Sequence, residues 1–130
     1  MALPLASEIL VQTQPTGVAI NPSGTTAYVA NQNSDSVSVI NIASNAVTTT
    51  LNVGFNRPLG VAVSPDGGFL WVANMNSGLV TRVNLNTSAV TTVSVGGTTQ
   101  PAYLAITPDG KYVFVSLFAS SAVARIDTGT

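Results

Sequence analysis

Hydrophobic and polar positions along the chain fall into short runs that repeat. In residues 58–100, Leu59–Val63 (LGVAV) is small and apolar, and Ser64–Gly68 (SPDGG) is a turn with Pro and Gly where a tight turn wants them. Phe69–Asn74 (FLWVAN) is almost continuously apolar, as in a strand covered on both faces. Leu79–Leu85 alternates, and Ala89–Val95 (AVTTVSV) is Thr-rich and β-branched, the mark of a wetter outer strand. The same plan precedes it as TGVAI, NPSG, TAYVAN, SVSVINI and AVTTTLNV, and follows it as YLAI, TPDG, YVFVSL and AVARID. Each unit predicts four short antiparallel strands. The chain stops before the fourth strand of the last unit.

The repeat is 43 residues long. Pro15, Pro58 and Pro101 keep this spacing, as do Pro22, Pro65 and Pro108, and the aromatic positions Tyr28, Trp71 and Phe114. A period in the forties filled with strands is the signature of propeller blades. The fold class is therefore all-β. A closing strand lies at about residues 5–14, blade 1 at 15–57, blade 2 at 58–100 and a partial blade 3 at 101–130. Trp71 is expected between blades, with Tyr28 and Phe114 in matching places. Propeller rings contain about four to eight blades, so three blades form an open arc. Such an arc closes with a partner chain or comes from a longer array. Ser7–Val11 (SEILV) stands where a fourth strand precedes Pro58 and Pro101. The two ends are thus complementary, and the expected assembly is a homodimer forming one six-bladed ring. In it the N-terminal strand of each copy completes the third blade of the other.

These segments resemble the YVTN family of β-propeller repeats, relatives of the NHL and lactonase-type propellers. The family tetrapeptide stands as YVAN (28–31) and WVAN (71–74) and decays to FVSL (114–117). The resemblance implies blades of four strands. It covers archaeal surface-layer and other cell-surface proteins, and it is similar to enzymes such as lactonases. Because propellers host unrelated activities, it identifies the blade rather than the function.

Composition narrows the function. Charged residues make up 7% of the chain, against about 25% in an average domain. Four Lys and Arg residues and a net charge of −1 supply no basic stripe for a phosphate backbone, so nucleic acid is not an expected partner. The sequence has no Cys and no His, which removes the commonest metal ligand and general base. Low charge and a Thr/Ser/Asn surface point to an extracellular or cell-surface setting. MALPLASEIL does not have the cationic start and apolar run of a secretory signal, and no stretch is long and apolar enough to span a membrane.

The carboxylates are Glu8, Asp35, Asp66, Asp109 and Asp127. Asp66 and Asp109 are equivalent turn formers in PDG, and Asp127 matches Asn41 and Asn84 at a strand end. Asn31, Asn33 and Asp35 have the alternate spacing of calcium ligands, but a single carboxylate favours a polar turn. Arg82 and Arg125, where the first repeat has Val39, are expected to guard an edge or bond between blades. No catalytic set emerges and no cofactor is expected. Binding is the remaining class. The loops after the fourth strands and between strands two and three share one face, where the departures from the repeat fall: Phe55, Asn56, Arg57, Met75, Tyr103 and Phe118. Exposed apolar residues beside an Arg mark a contact surface. The expected function is a non-catalytic scaffold for protein interaction, adhesion or surface structure. The alternative is a small-ligand or carbohydrate-binding, lectin-like propeller, for which Tyr103 and Phe118 are the aromatic candidates for a sugar. A lactonase-like enzyme remnant ranks last.

Overall fold

The computed structural model describes residues 2–129. Strands β1 (Pro15–Ile20), β2 (Thr26–Asn31), β3 (Ser36–Asn41) and β4 (Ala46–Leu51) form one antiparallel sheet in sequence order. Strands β5 (Pro58–Val63), β6 (Phe69–Asn74), β7 (Leu79–Asn84) and β8 (Val90–Ser94) form the second in the same order. The third has β9 (Pro101–Ile106), β10 (Tyr112–Leu117) and β11 (Ala122–Asp127), with β10 in the middle. Helical structure among the described residues is confined to two single 3-10 turns, Gln32–Ser34 and Phe118–Ser120. These are three propeller-like blades.

Turn chemistry sets the register of the first hairpin in each blade. In the second blade, Ser64 donates its hydroxyl to Asp66 Oδ1 at 2.6 Å, and the same oxygen accepts the Gly68 amide at 2.8 Å. Gly67 has a φ of +75°, which L side chains rarely adopt. The register that follows places Tyr28 opposite Val39, Trp71 opposite Arg82 and Phe114 opposite Arg125.

The core lies between blades. Tyr28, Ala30 and Val37 of the first blade pack against Val61, Leu70, Val72 and Val83 of the second. Trp71, Ala73 and Val80 of the second pack against Val113, Val115, Leu117 and Ile126 of the third. Each fully buried Val or Leu side chain contributes about 1.5–3 kcal/mol. These junctions, rather than any single sheet, hold the arc together.

The inner strands β1, β5 and β9 lie side by side. Their approach requires glycine. A Cβ on Gly17 would stand 2.5 Å from the Leu59 carbonyl oxygen, and one on Gly60 would stand 2.7 Å from that of Ala102. Thr16 ties the first junction by donating its hydroxyl to the Leu59 carbonyl at 2.8 Å. In the third blade the position of Gly17 and Gly60 is taken by Tyr103.

The N-terminal segment differs from expectation. Residues 2–11 form no strand. Ile9 and Val11 nonetheless pack on Ala27, Val29 and Ile40, the outward face of the first blade. That is the seat which Leu51 and Val53 occupy before the second blade and Val93 and Val95 before the third. A strand needs a hydrogen-bonded neighbour, and the first blade offers this segment only a side-chain face.

Candidate functional site

Two concave regions lie on opposite edges of the blades. The first is on the loop face expected from the sequence. Here the chain preceding each first strand is pinned to the loop between strands two and three. The Gln32 amide donates to the Gln14 carbonyl at 2.9 Å, Met75 to Arg57 at 3.1 Å and Phe118 to Gln100 at 3.0 Å. The three acceptor residues share left-handed backbone, with φ of 55°, 50° and 53°.

The Asn that ends the YVAN and WVAN segments is the buried anchor of this face. The Asn74 side-chain amide donates to Thr81 Oγ1 at 2.8 Å and to the Leu79 carbonyl at 3.0 Å, while its Oδ1 accepts the Asn56 amide at 3.1 Å. Asn31 donates to Ser36 and Ser38 in the same way, but its buried Oδ1 has no hydrogen-bond partner among the described residues. Asp35 accepts the amide of Arg57, the residue before the next blade's first strand, at 2.7 Å. This tie occupies the one carboxylate of the calcium-like spacing.

The six residues singled out from the sequence are not all on a surface. Phe55 is only 5% exposed and packs within the junction of blades 1 and 2. Its apolar ring is part of that core. Asn56 and Arg57 are exposed and Met75 is half-buried. Tyr103 and Phe118 are 56% and 74% exposed. These two line a groove of about 430 Å³ with Ser116, Leu117, Ala122 and Val123. The groove sits on the open face of the third blade, where Ser116 and Val123 replace the buried Ala73 and Val80 of the second.

The second region was not singled out in the sequence. A cavity of about 300 Å³ lies between blades 2 and 3, at the turns that join first and second strands. Phe69, Trp71 and Ile106 form apolar walls, Asp66 and Asp109 stand at the rim, and Arg82 lies within the lining. The Arg82 guanidinium stacks over Phe69 at 4.6 Å and over Trp71 at 5.7 Å from the ring centres. It therefore neither guards an edge nor bonds between blades, because β7 is flanked by β6 and β8 and its register aims Arg82 at the Trp71 ring. Arg125 repeats the stacking over Tyr112 at 4.7 Å. The signal was present in the sequence as a paired departure, Arg82 for Val39 and Phe69 for Thr26.

Electrostatics at the rim follow from the turns. The Ser64 hydroxyl and then the Gly68 amide hold the Asp66 carboxyl below the usual carboxylate range. The Thr107 hydroxyl and the Lys111 amide do the same for Asp109. Burial pushes the Tyr28 phenol up. Both carboxylates are thus ionised at neutral pH.

No curated protein sequence matches the chain. Among solved structures, 774 chains match, so the likeness carries a widespread architecture rather than an activity. One is the hydrazine synthase of Kuenenia stuttgartiensis, with a TM-score of 0.81 and 28% identity over 98% of this chain and 37% of that one. The chain spans little more than a third of that relative's length. With its three propeller-like antiparallel sheets and the match of residues 5–128, the chain is an all-β repeat protein and belongs to the family described as "Repeat of unknown function (DUF6923)".

Proposed function

We propose that the protein is a non-catalytic propeller scaffold that closes into a six-bladed ring with a second copy and presents its pinned loop face to protein partners at a cell surface. The observation that carries this reading is the mismatch between the two ends. The outer edge of β11 has no fourth-strand neighbour among the described residues, while Ile9 and Val11 occupy a fourth-strand seat in front of the first blade. When the third blade of one copy stacks on the first blade of another, residues 7–11 of the second lie beside β11 of the first. Phe114, 42% exposed, then meets Ala27 and Val29. Pairing β11 also removes an edge that would recruit other chains, and two-fold association is the common symmetry.

Tyr103 shapes the closing junction. It stands where Gly17 and Gly60 admit the next inner strand, so its side chain keeps the axial strands apart there. The closing junction is wider at the axis than the two internal ones.

The scaffold reading is supported by the chemistry of the side chains. The carboxylates at the turns are each held through Oδ1 by their own backbone amides, and the sequence has no His or Cys to act as base or nucleophile. The YVAN and WVAN tetrapeptides support kinship with YVTN blades and hence the surface setting. A lactonase-like remnant would turn over lactones, and no turnover is expected.

A second reading is favoured by one observation, the exposed pair Tyr103 and Phe118 in one groove. A sugar-binding propeller would use such rings. On a glycan array, saturable binding lost in Tyr103→Ala or Phe118→Ala would favour the lectin. The scaffold predicts no such binding. Amide exchange tests the scaffold itself: residues 122–127 should exchange more slowly as protein concentration rises. Concentration-independent exchange in β11 would count against strand pairing between copies.

A further inference from the structure

We infer that the cavity between blades 2 and 3 is a binding site for a small zwitterionic amino acid with an apolar side chain. The inference stands apart from the ring, because every residue of the cavity lies in one chain. Its wall is built of Phe69, Trp71 and Ile106, and about 300 Å³ accommodates a molecule the size of a large amino acid. Arg82 is the decisive group. Its guanidinium rests on two aromatic faces and makes neither a hydrogen bond nor an ion pair with the described residues. A guanidinium carries five N–H donors in a planar fork suited to a carboxylate, and here the fork lines an apolar cavity. Asp66 and Asp109 stand on either side of the junction at the rim. Each uses Oδ1 for its own turn, so charge remains at the mouth for an ammonium group. A carboxylate on Arg82, an ammonium toward the aspartates and an apolar body against Trp71 use all three features at once.

Comparison within the chain shows that the feature is not a requirement of the blade. At the first junction the position of Arg82 is Val39, packed against the interblade core, and the position of Asp66 is Ser23. That junction forms without the arginine and with only one of the two aspartates, since Asp66 itself stands there in the place of Asp109. The second junction has exchanged a filling valine for a stacked cation, and it holds the cavity.

Trp71 is the sole tryptophan and lines the cavity, so its emission reports occupancy. The probe is L-phenylalanine, titrated beside 3-phenylpropionate and phenethylamine, which lack the amine and the carboxylate respectively. A saturable change in Trp71 emission is expected with phenylalanine, with each analogue about tenfold weaker or worse, as for the loss of a charge-assisted hydrogen bond. Arg82→Val, which copies the first repeat and is checked for an unchanged thermal melt and sheet spectrum, should abolish the response. Phe118→Ala, on the opposite edge, should retain it. Absence of any saturable change up to about 10 mM, equal affinity for all three probes, or undiminished binding by a folded Arg82→Val variant would overturn the site.

Discussion

Trp71 and Phe114 stand at the same place in successive blades, yet Trp71 is 3% exposed and Phe114 is 42% exposed. Each is opposite an arginine on the third strand, Arg82 and Arg125. Trp71 faces Val113 and Val115 of the next blade, whereas Phe114 faces no further blade within the described chain. The difference measures what a neighbouring blade supplies. Trp71→Ala should cost about 3–5 kcal/mol of unfolding free energy, as for large core aromatics. Phe114→Ala should change the stability of a dilute single chain by under about 1 kcal/mol while weakening self-association. Denaturant titration paired with sedimentation separates the two effects.

The inner strands give the opposite signs for glycine. Gly60→Ala places a Cβ 2.7 Å from the Ala102 carbonyl oxygen, inside any ordinary contact, and backbone on both sides gives little. A loss of about 1–3 kcal/mol is expected in chemical denaturation, typical of overpacking. Tyr103→Gly restores at the last blade the residue of the first two. It should tighten the dimer, read as a lower dissociation constant.

Asn74 and Asn31 should not be equivalent. Replacing Asn74 by Leu, the residue of the third repeat, strands the Asn56 amide and the Thr81 hydroxyl. Unsatisfied buried groups cost about 1–3 kcal/mol. Asn31→Leu removes an amide whose Oδ1 was already without a partner among the described residues, so its cost in the same thermal or denaturant assay should be smaller.

The blade plan was legible in the sequence because alternation, turn residues and the 43-residue period are local properties. Pro65, Asp66 and Gly67 announce their turn without help from elsewhere. Phe55 was not legible as core. Its burial depends on the approach of Val61 and Leu70 from the next blade, and a loop aromatic reads as exposed until that neighbour is placed. The same holds for Arg82, whose stacking follows from the cross-strand register with Trp71. Tyr103 was noticed as a departure from Gly17 and Gly60, but the close approach that makes glycine necessary is visible only between strands.

Acid should weaken the fold through the PDG turns. The Asp66 and Asp109 carboxyls are held below their ordinary range by the turn hydroxyls and amides. A depressed folded value contributes stability that is present above the unfolded value, about 3.9. It is lost as pH falls through the lower folded value. Asp66→Asn should therefore flatten the acid limb of a melting-temperature profile while leaving the neutral-to-basic limb in place. An unchanged acid limb would show that these turn bonds do not couple to unfolding.

Ring closure by two copies is the central claim, and sedimentation velocity at micromolar concentration tests it most directly. The account predicts a species of twice the 13.2 kDa chain mass, shifted toward aggregates by deletion of residues 2–11 and toward single chains by Phe114→Asp. A stable species of one chain mass across that concentration range would contradict closure, and a trimer or larger ring would contradict six blades.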